Sequence, residues 1–315
     1  MSVLSHAESF AGLRVVQVPA DGPLPAVDGP VAWRIDHPDW DGSSKQKLSP
    51  GFRDAFDRFV DAAGESVQAL VVGAWGYAAF NVAPIDQLCA AAPRLPNLRA
   101  LFLGDILSEE CEISWMRVGD VSRLLTAYPK LEALRVRGGE DFRFSPVRHE
   151  RLRRLEVESG GLSGDFVRAV LDSELPALTD LELWLGVEYY GGDTTVDDLA
   201  PLLAGQRFPA LRRLGLCNAE HADEIAEALA TAPVVRRLEL LDLSLGTLSD
   251  RGALALAGGQ PLTHLTKLDL SHHYVSDEVV AAVRAALPGV TLDVSDPQAP
   301  DIDDDEEHRY TAVSE

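Results

Sequence analysis

The sequence predicts an α/β solenoid, a stack of parallel strands backed by helices, and three observations predict it. A Leu-x-x-Leu-x-Leu pattern recurs at Leu98, Leu101 and Leu103; at Leu131, Leu134 and Val136; at Leu152, Leu155 and Val157; at Leu178, Leu181 and Leu183; at Leu211, Leu214 and Leu216; and at Leu265, Leu268 and Leu270. Val67, Leu70 and Val72 form a looser copy. Columns outside the pattern keep one interval of 27 residues, as in Asp223, Asp250 and Asp277, and in Leu229, Leu256 and Val283. Between copies, apolar residues fall at helical spacing, as in Ile225, Ala226 and Leu229.

The 27-residue columns also resolve an ambiguity. Val235, Leu238 and Leu240 satisfy the pattern, and so do Leu238, Leu241 and Leu243; only the second set lines up Leu211, Leu238 and Leu265, and Leu216, Leu243 and Leu270. In each copy the last two leucines alternate along a short strand and point inward, and the residues between them point to the opposite face. An acidic residue such as Asp223, Asp250 or Asp277 then stands near a helix start, where negative charge is favoured. Strand, turn and helix repeating in one direction force the strands to be parallel, with the helices on one side. Because a helix is wider than a strand, such a stack curves into a horseshoe, and no single repeat buries its face alone.

These strands and helices, across 67–294, resemble leucine-rich repeats of the ribonuclease-inhibitor type. The resemblance implies a leucine-rich-repeat solenoid with the parallel sheet on the concave side and helices on the convex side, and a protein-binding role. In that family the third position after the last leucine is usually Asn or Cys. Here it is Ile106, Gly139, Gly160, Gly186, Ala219 or His273, so the chain is similar to a degenerate, bacterial, actinobacterial-looking version.

The ends read differently. Leu13–Val18 and Val31–Ile35 are short strands around a Pro/Gly-rich segment, and Ser49-Pro50 opens a helix with Phe52, Phe56 and Phe59 on one face. Residues 1–66 are therefore expected to cap the solenoid of 67–295. Val290, Leu292 and Val294 form a truncated last strand. Residues 296–315 hold eight acidic residues and one Arg, and are expected to be a disordered acidic tail.

Composition narrows the function. With 28 Lys and Arg against 50 Asp and Glu, the net charge of -22 repels a phosphate backbone, so nucleic acid is excluded as a partner. Neither an export signal nor a membrane span is read, and Cys89, Cys111 and Cys217 form no disulfide or zinc pattern, so a reducing cytoplasm is expected. There is no Gly-x-x-x-x-Gly-Lys run and no nucleophile elbow around Ser163. His272-His273 and Asp301-Ile302-Asp303-Asp304-Asp305 lack the remaining ligands of a metal site. No catalytic residue, metal or cofactor is expected.

What remains is a binding surface for another protein. Outward strand positions include Phe102, Arg135, Arg137, Arg154, Glu156, Glu158, Asp180, Glu182 and Trp184, a mixed patch that reads a charged partner or neutralises itself laterally. Three long loops, 73–84, 104–119 and 184–196, share the strand-to-helix position and hold Trp75, Tyr77, Phe80, Trp115, Tyr189 and Tyr190. These aromatics either line a binding rim or cover their own loops. The alternative function is an enzyme or accessory subunit with a small-molecule site between the long loops, using Asp105, Glu110 or Glu188.

Overall fold

The computed structural model describes residues 5–38, 47–303 and 306–315. Twelve strands form one sheet in sequence order: β1 (Ser9–Phe10), β2 (Leu13–Gln17), β3 (Ala32–His37), β4 (Ala69–Trp75), β5 (Ala100–Leu103), β6 (Ala133–Arg137), β7 (Arg154–Glu158), β8 (Asp180–Gly186), β9 (Arg213–Ala219), β10 (Leu240–Asp242), β11 (Lys267–Asp269) and β12 (Thr291–Asp293). Two further strands, β13 (Asp301–Asp303) and β14 (Glu306–His308), pair only with each other. The helices are α1 (Pro50–Ala63), α2 (Ile85–Ala91), α3 (Ser122–Ala127), α4 (Gly164–Leu171), α5 (Val196–Leu203), α6 (Ala222–Leu229), α7 (Asp250–Gly258) and α8 (Asp277–Ala286). The chain divides into two compact units, Met1–Leu155 with Ser173–Leu175 and Glu315, and Glu156–Asp172 with Pro176–Ser314.

In the first unit, β3 to β6 pair in parallel, and β2 runs parallel to β3. The segment expected to cap the stack, with its two short strands, thus extends the sheet itself. Helix α1 starts at Pro50 behind the Ser49 cap and lays Phe52, Phe56 and Phe59 against the core, with Trp33 of β3 6.0 Å from Phe59. β1 turns back on β2 through Ala11 and Gly12, both at positive φ, as a two-residue hairpin with the sheet's twist requires.

In the second unit the register follows the 27-residue columns. Leu241 of β10 pairs with Leu214 of β9 and Leu268 of β11. The recurrent Asp does more than favour its own helix start. Asp223 accepts from the Ser249 and Gly252 amides at 2.8 and 3.0 Å, and Asp250 accepts from the Ser276 amide at 2.7 Å, so each bridges to the next repeat's helix cap. A Cβ on Gly252 would stand 2.6 Å from Asp223 Oδ1, so only glycine allows that approach.

Main-chain bonds replace the missing Asn or Cys ladder. The carbonyls of Gly160, Gly186, Ala219 and His273 accept from the amides of Val187, Glu220, Thr247 and Gln298 at 2.8, 3.1, 3.1 and 2.7 Å. Because the backbone closes this ladder, no Asn or Cys side chain is needed there, and at Gly186 (φ 72°) a Cβ would stand 2.0 Å from the Gly160 carbonyl oxygen.

The acidic tail corrects the expectation of disorder. Although its charged residues are exposed, Thr311 and Val313 are buried, and Val313 exchanges hydrogen bonds with Asn218. Composition misses this because two side chains and a few main-chain bonds anchor the segment. Of the Asp301-Ile302-Asp303-Asp304-Asp305 run, Asp304 and Asp305 lie outside the described residues.

Candidate interaction surface

The face of the sheet turned away from the helices carries a different chemistry in each unit. In the first unit, Ala32, Ala69, Ala100 and Ala133 pair across β3 to β6, and two residues further on stand Arg34, Val71, Phe102 and Arg135. The alanines leave room for the N-terminal hairpin. Phe10 packs into it among Ala32, Ala69, Val71, Ala100 and Phe102, with its ring 5.9 Å from Phe102. Arg135 lies 4.5 Å from the other reach of the Phe102 ring. Phe102 is therefore buried under the chain's own residues.

Arg34 anchors that cover. Its Nε donates to Asp105 Oδ2 at 2.7 Å and its terminal nitrogens reach the Asp105 carbonyl, Gln17 and Asp36. Asp105 also accepts from the Ala7 amide at 3.2 Å. The carboxylate suggested for a small-molecule site is thus buried as a brace for the N-terminal segment. Glu110 similarly accepts from the Leu107 amide at 2.8 Å.

In the second unit the equivalent positions are mostly polar. Asp180, Arg213, Leu240 and Lys267 replace the alanines, and the next row reads Glu182, Gly215, Asp242, Asp269 and Asp293. Some charges pair laterally: Arg213 reaches Asp180 at 3.0 Å, and Lys267 reaches Asp269 and Asp293 at 2.8 and 3.3 Å. Glu182 is different. Burial, then the nearby Glu156, pushes its pKa up to about 7, with Glu158 and Asp242 adding to the rise and the Trp184 indole, donating at 2.9 Å, opposing it. Burial also raises Asp242. Cys217 is held well above its ordinary range, by burial first and then by Asp242 and Glu182.

The loop aromatics separate into two kinds. Trp75 is fully buried and donates to the Asn81 carbonyl at 3.1 Å, Tyr77 packs on Phe80 at 5.2 Å, and Trp184 is buried. As binding aromatics, Trp75, Phe102 and Trp184 are corrected: they are core, because loop and strand ends fold inward over apolar neighbours. Trp115 is 51% exposed and Tyr189 87% exposed, with Tyr190 set edge-on against Tyr189 at 4.9 Å. Arg154, Glu156, Asp180 and Glu182 are half-buried on the sheet.

The paired histidines serve the backbone. Nδ1 of His273 accepts from the Val275 amide at 3.0 Å and its Nε2 lies 3.2 Å from the Val294 carbonyl; His272 faces Asp296 at 3.0 Å. Among the described residues no three metal-binding side chains cluster, and no helix is long and apolar enough to cross a membrane. A cleft of about 840 Å³ beside α1 and α2 is lined by Arg53, Asp57, Asp86 and Arg94.

Strands in sequence order, a 27-residue register in the later repeats and helices after most strands define a leucine-rich-repeat solenoid. The chain belongs to the same family as a Bacteroides fragilis protein of known crystal structure, at 31% identity and a TM-score of 0.72 over 81% of this chain and 75% of that one. An internalin from Listeria monocytogenes also matches, at 14% identity and a TM-score of 0.33 over 89% of this chain and 85% of that one. No protein-family model and no curated protein matches.

Proposed function

We propose that the protein is a non-catalytic interaction scaffold that binds another protein through the open sheet face of its second unit and its exposed loop aromatics. The acidic row of Glu182, Asp242, Asp269 and Asp293 carries this reading. Carboxylates on neighbouring strands repel one another; Lys267 offsets this at Asp269 and Asp293, and the Ser amide that each Asp accepts two residues on does not call for the carboxylates to stand side by side. Their partner is a basic protein surface, since opposite charge relieves the repulsion and steers the encounter. Tyr189 adds an exposed aromatic of the kind that anchors interfaces. Nucleic acid does not suit a chain of net charge -22.

The enzyme reading is weaker, because Asp105 is committed to Arg34 and Glu110 to Leu107. We place the protein in the cytoplasm of a bacterium, which its three free cysteines support, and keep the ribonuclease-inhibitor type as the nearest repeat class on its period.

Pull-down from native lysate with the full chain, beside Asp242→Asn/Asp269→Asn and Tyr189→Ala variants, tests the proposal. The charge variant should lose its partner by about ten-fold, with a flatter salt dependence, and Tyr189→Ala should lose less. Equal recovery of the same partner by all three chains would sink it.

A further inference from the structure

Three successive repeats place a left-handed residue at the same point of the 27-residue period, in the last residues of β9 and just past β10 and β11: Asn218 (φ 53°), Leu245 (φ 68°) and His272 (φ 58°). Their amides are used within the stack, donating to the carbonyls of Ser244, Ser271 and Ser295 at 2.8, 2.9 and 2.9 Å. Across the row lies the segment Tyr310–Val313. His272 Nε2 is 3.3 Å from the Tyr310 carbonyl, the Ala312 amide donates to the Leu245 carbonyl at 2.8 Å, and the Val313 amide donates to Asn218 Oδ1 at 3.0 Å. Asn218 Nδ2 returns a bond to the Val313 carbonyl. The Tyr274 hydroxyl donates to the Tyr310 carbonyl at 3.0 Å and accepts its amide at 2.8 Å.

Each of these bonds reads the main chain of the bound segment. The fully buried Asn218 side chain uses both polar atoms on one residue's peptide groups, as a neighbouring strand would. Only the Val313 and Thr311 positions are buried, and Tyr310 is 58% exposed. Before them, strands β13 and β14 are exposed and rich in carboxylates, and Arg309 reaches Asp223 at 3.9 Å.

We propose that Asn218, Leu245 and His272 form a peptide-binding track, and that residues 310–313 are its displaceable resident ligand. When they lift off, the track takes an extended peptide of the same pattern, a small residue followed by a β-branched aliphatic one, by strand-like main-chain pairing. This proposal does not depend on the acidic row.

Fluorescence anisotropy with a labelled peptide of residues 306–315 tests it on the full chain. Ala312→Pro with Val313→Asp removes the amide that Leu245 accepts and the buried aliphatic, and should bind the peptide at least about ten-fold tighter than the unaltered chain. Adding Asn218→Ala should abolish that gain; if this chain misfolds by circular dichroism, Asn218→Asp keeps the acceptor, loses the donor and should weaken binding. Equal peptide binding with and without the released segment would overturn the proposal, as would a gain that survives loss of the Asn218 amide. In the unaltered chain the Ala312 and Val313 amides should exchange hydrogen far faster than those of Leu216 and Leu268. Protection as strong as that of the strands would make the segment a permanent cap and also overturn it.

Discussion

The two units present the same sheet positions to opposite ends. In the first, a row of four alanines admits Phe10, and Arg34 with Asp105 pins the segment that carries it. In the second, acidic and basic residues take the same row and a carboxylate row follows, partly exposed. Inward leucines are alike in both units, so the solenoid is indifferent to what its outward positions carry. Cover or contact is decided by the residue at two outward points per strand.

The largest expected effect breaks the cover at its anchor. Asp105→Ala strips a buried guanidinium of its fully buried carboxylate partner and frees the Ala7 amide. It should destabilise the chain by about 3 kcal/mol in urea unfolding, at the low end for a broken buried pair because Asp36 and Gln17 still hold Arg34. The matching ion pair of the second unit, Arg213 with Asp180, is open to solvent on the arginine side, and Arg213→Ala should change stability by less than about 1 kcal/mol. Similar losses at both positions would show that the two faces are not built differently.

Phe10→Ala should follow, at about 2 kcal/mol, below the usual range for a buried phenylalanine because the two-residue strand that carries it can shift. It would also uncover Phe102 and the alanine row, so binding of an apolar dye should rise. A variant as stable as the parent and equally dye-free would mean that the N-terminal segment merely rests on the sheet.

Much of the solenoid was legible because leucine spacing reports an obligatory physical need, the burial of each strand's inward face against the layer behind it. The choice of Leu238, Leu241 and Leu243 followed from columns that the structure pairs as β9, β10 and β11. The covers were not legible. Ala69, Ala100 and Ala133 are visible as a column, yet an alanine column says only that something large can approach, and Phe10 lies about 60 to 120 residues away in the sequence. Arg34 and Asp105 are 71 apart and Asn218 and Val313 are 95 apart, so no local pattern joins them. Loop aromatics were read as one class because composition cannot tell a Trp75 that finds a carbonyl partner indoors from a Tyr189 that does not fold back. For the tail, the carboxylate run outweighed the four residues that dock.

The smallest effect sharpens the contrast through pH. Glu182 sits in the row that in the first unit holds Phe102, which does not titrate. Its folded pKa of about 7 lies above the value of about 4.3 expected when unfolded. Between those values the folded chain keeps a proton that the unfolded chain has released, so this group's contribution is fully present below about pH 4 and is lost as pH rises to about 7. The half-buried Asp242, also raised, acts in the same direction. Glu182→Gln keeps an oxygen for the Trp184 indole and removes the charge that Glu156, Glu158 and Asp242 oppose. It should stabilise the chain by roughly 1 to 2 kcal/mol at pH 8 and by much less at pH 5. Melting temperatures of parent and variant at both pH values decide the matter. A gain of the same size at both would assign the effect to packing and not to the carboxylate row, leaving the second face no more electrostatically strained than the first.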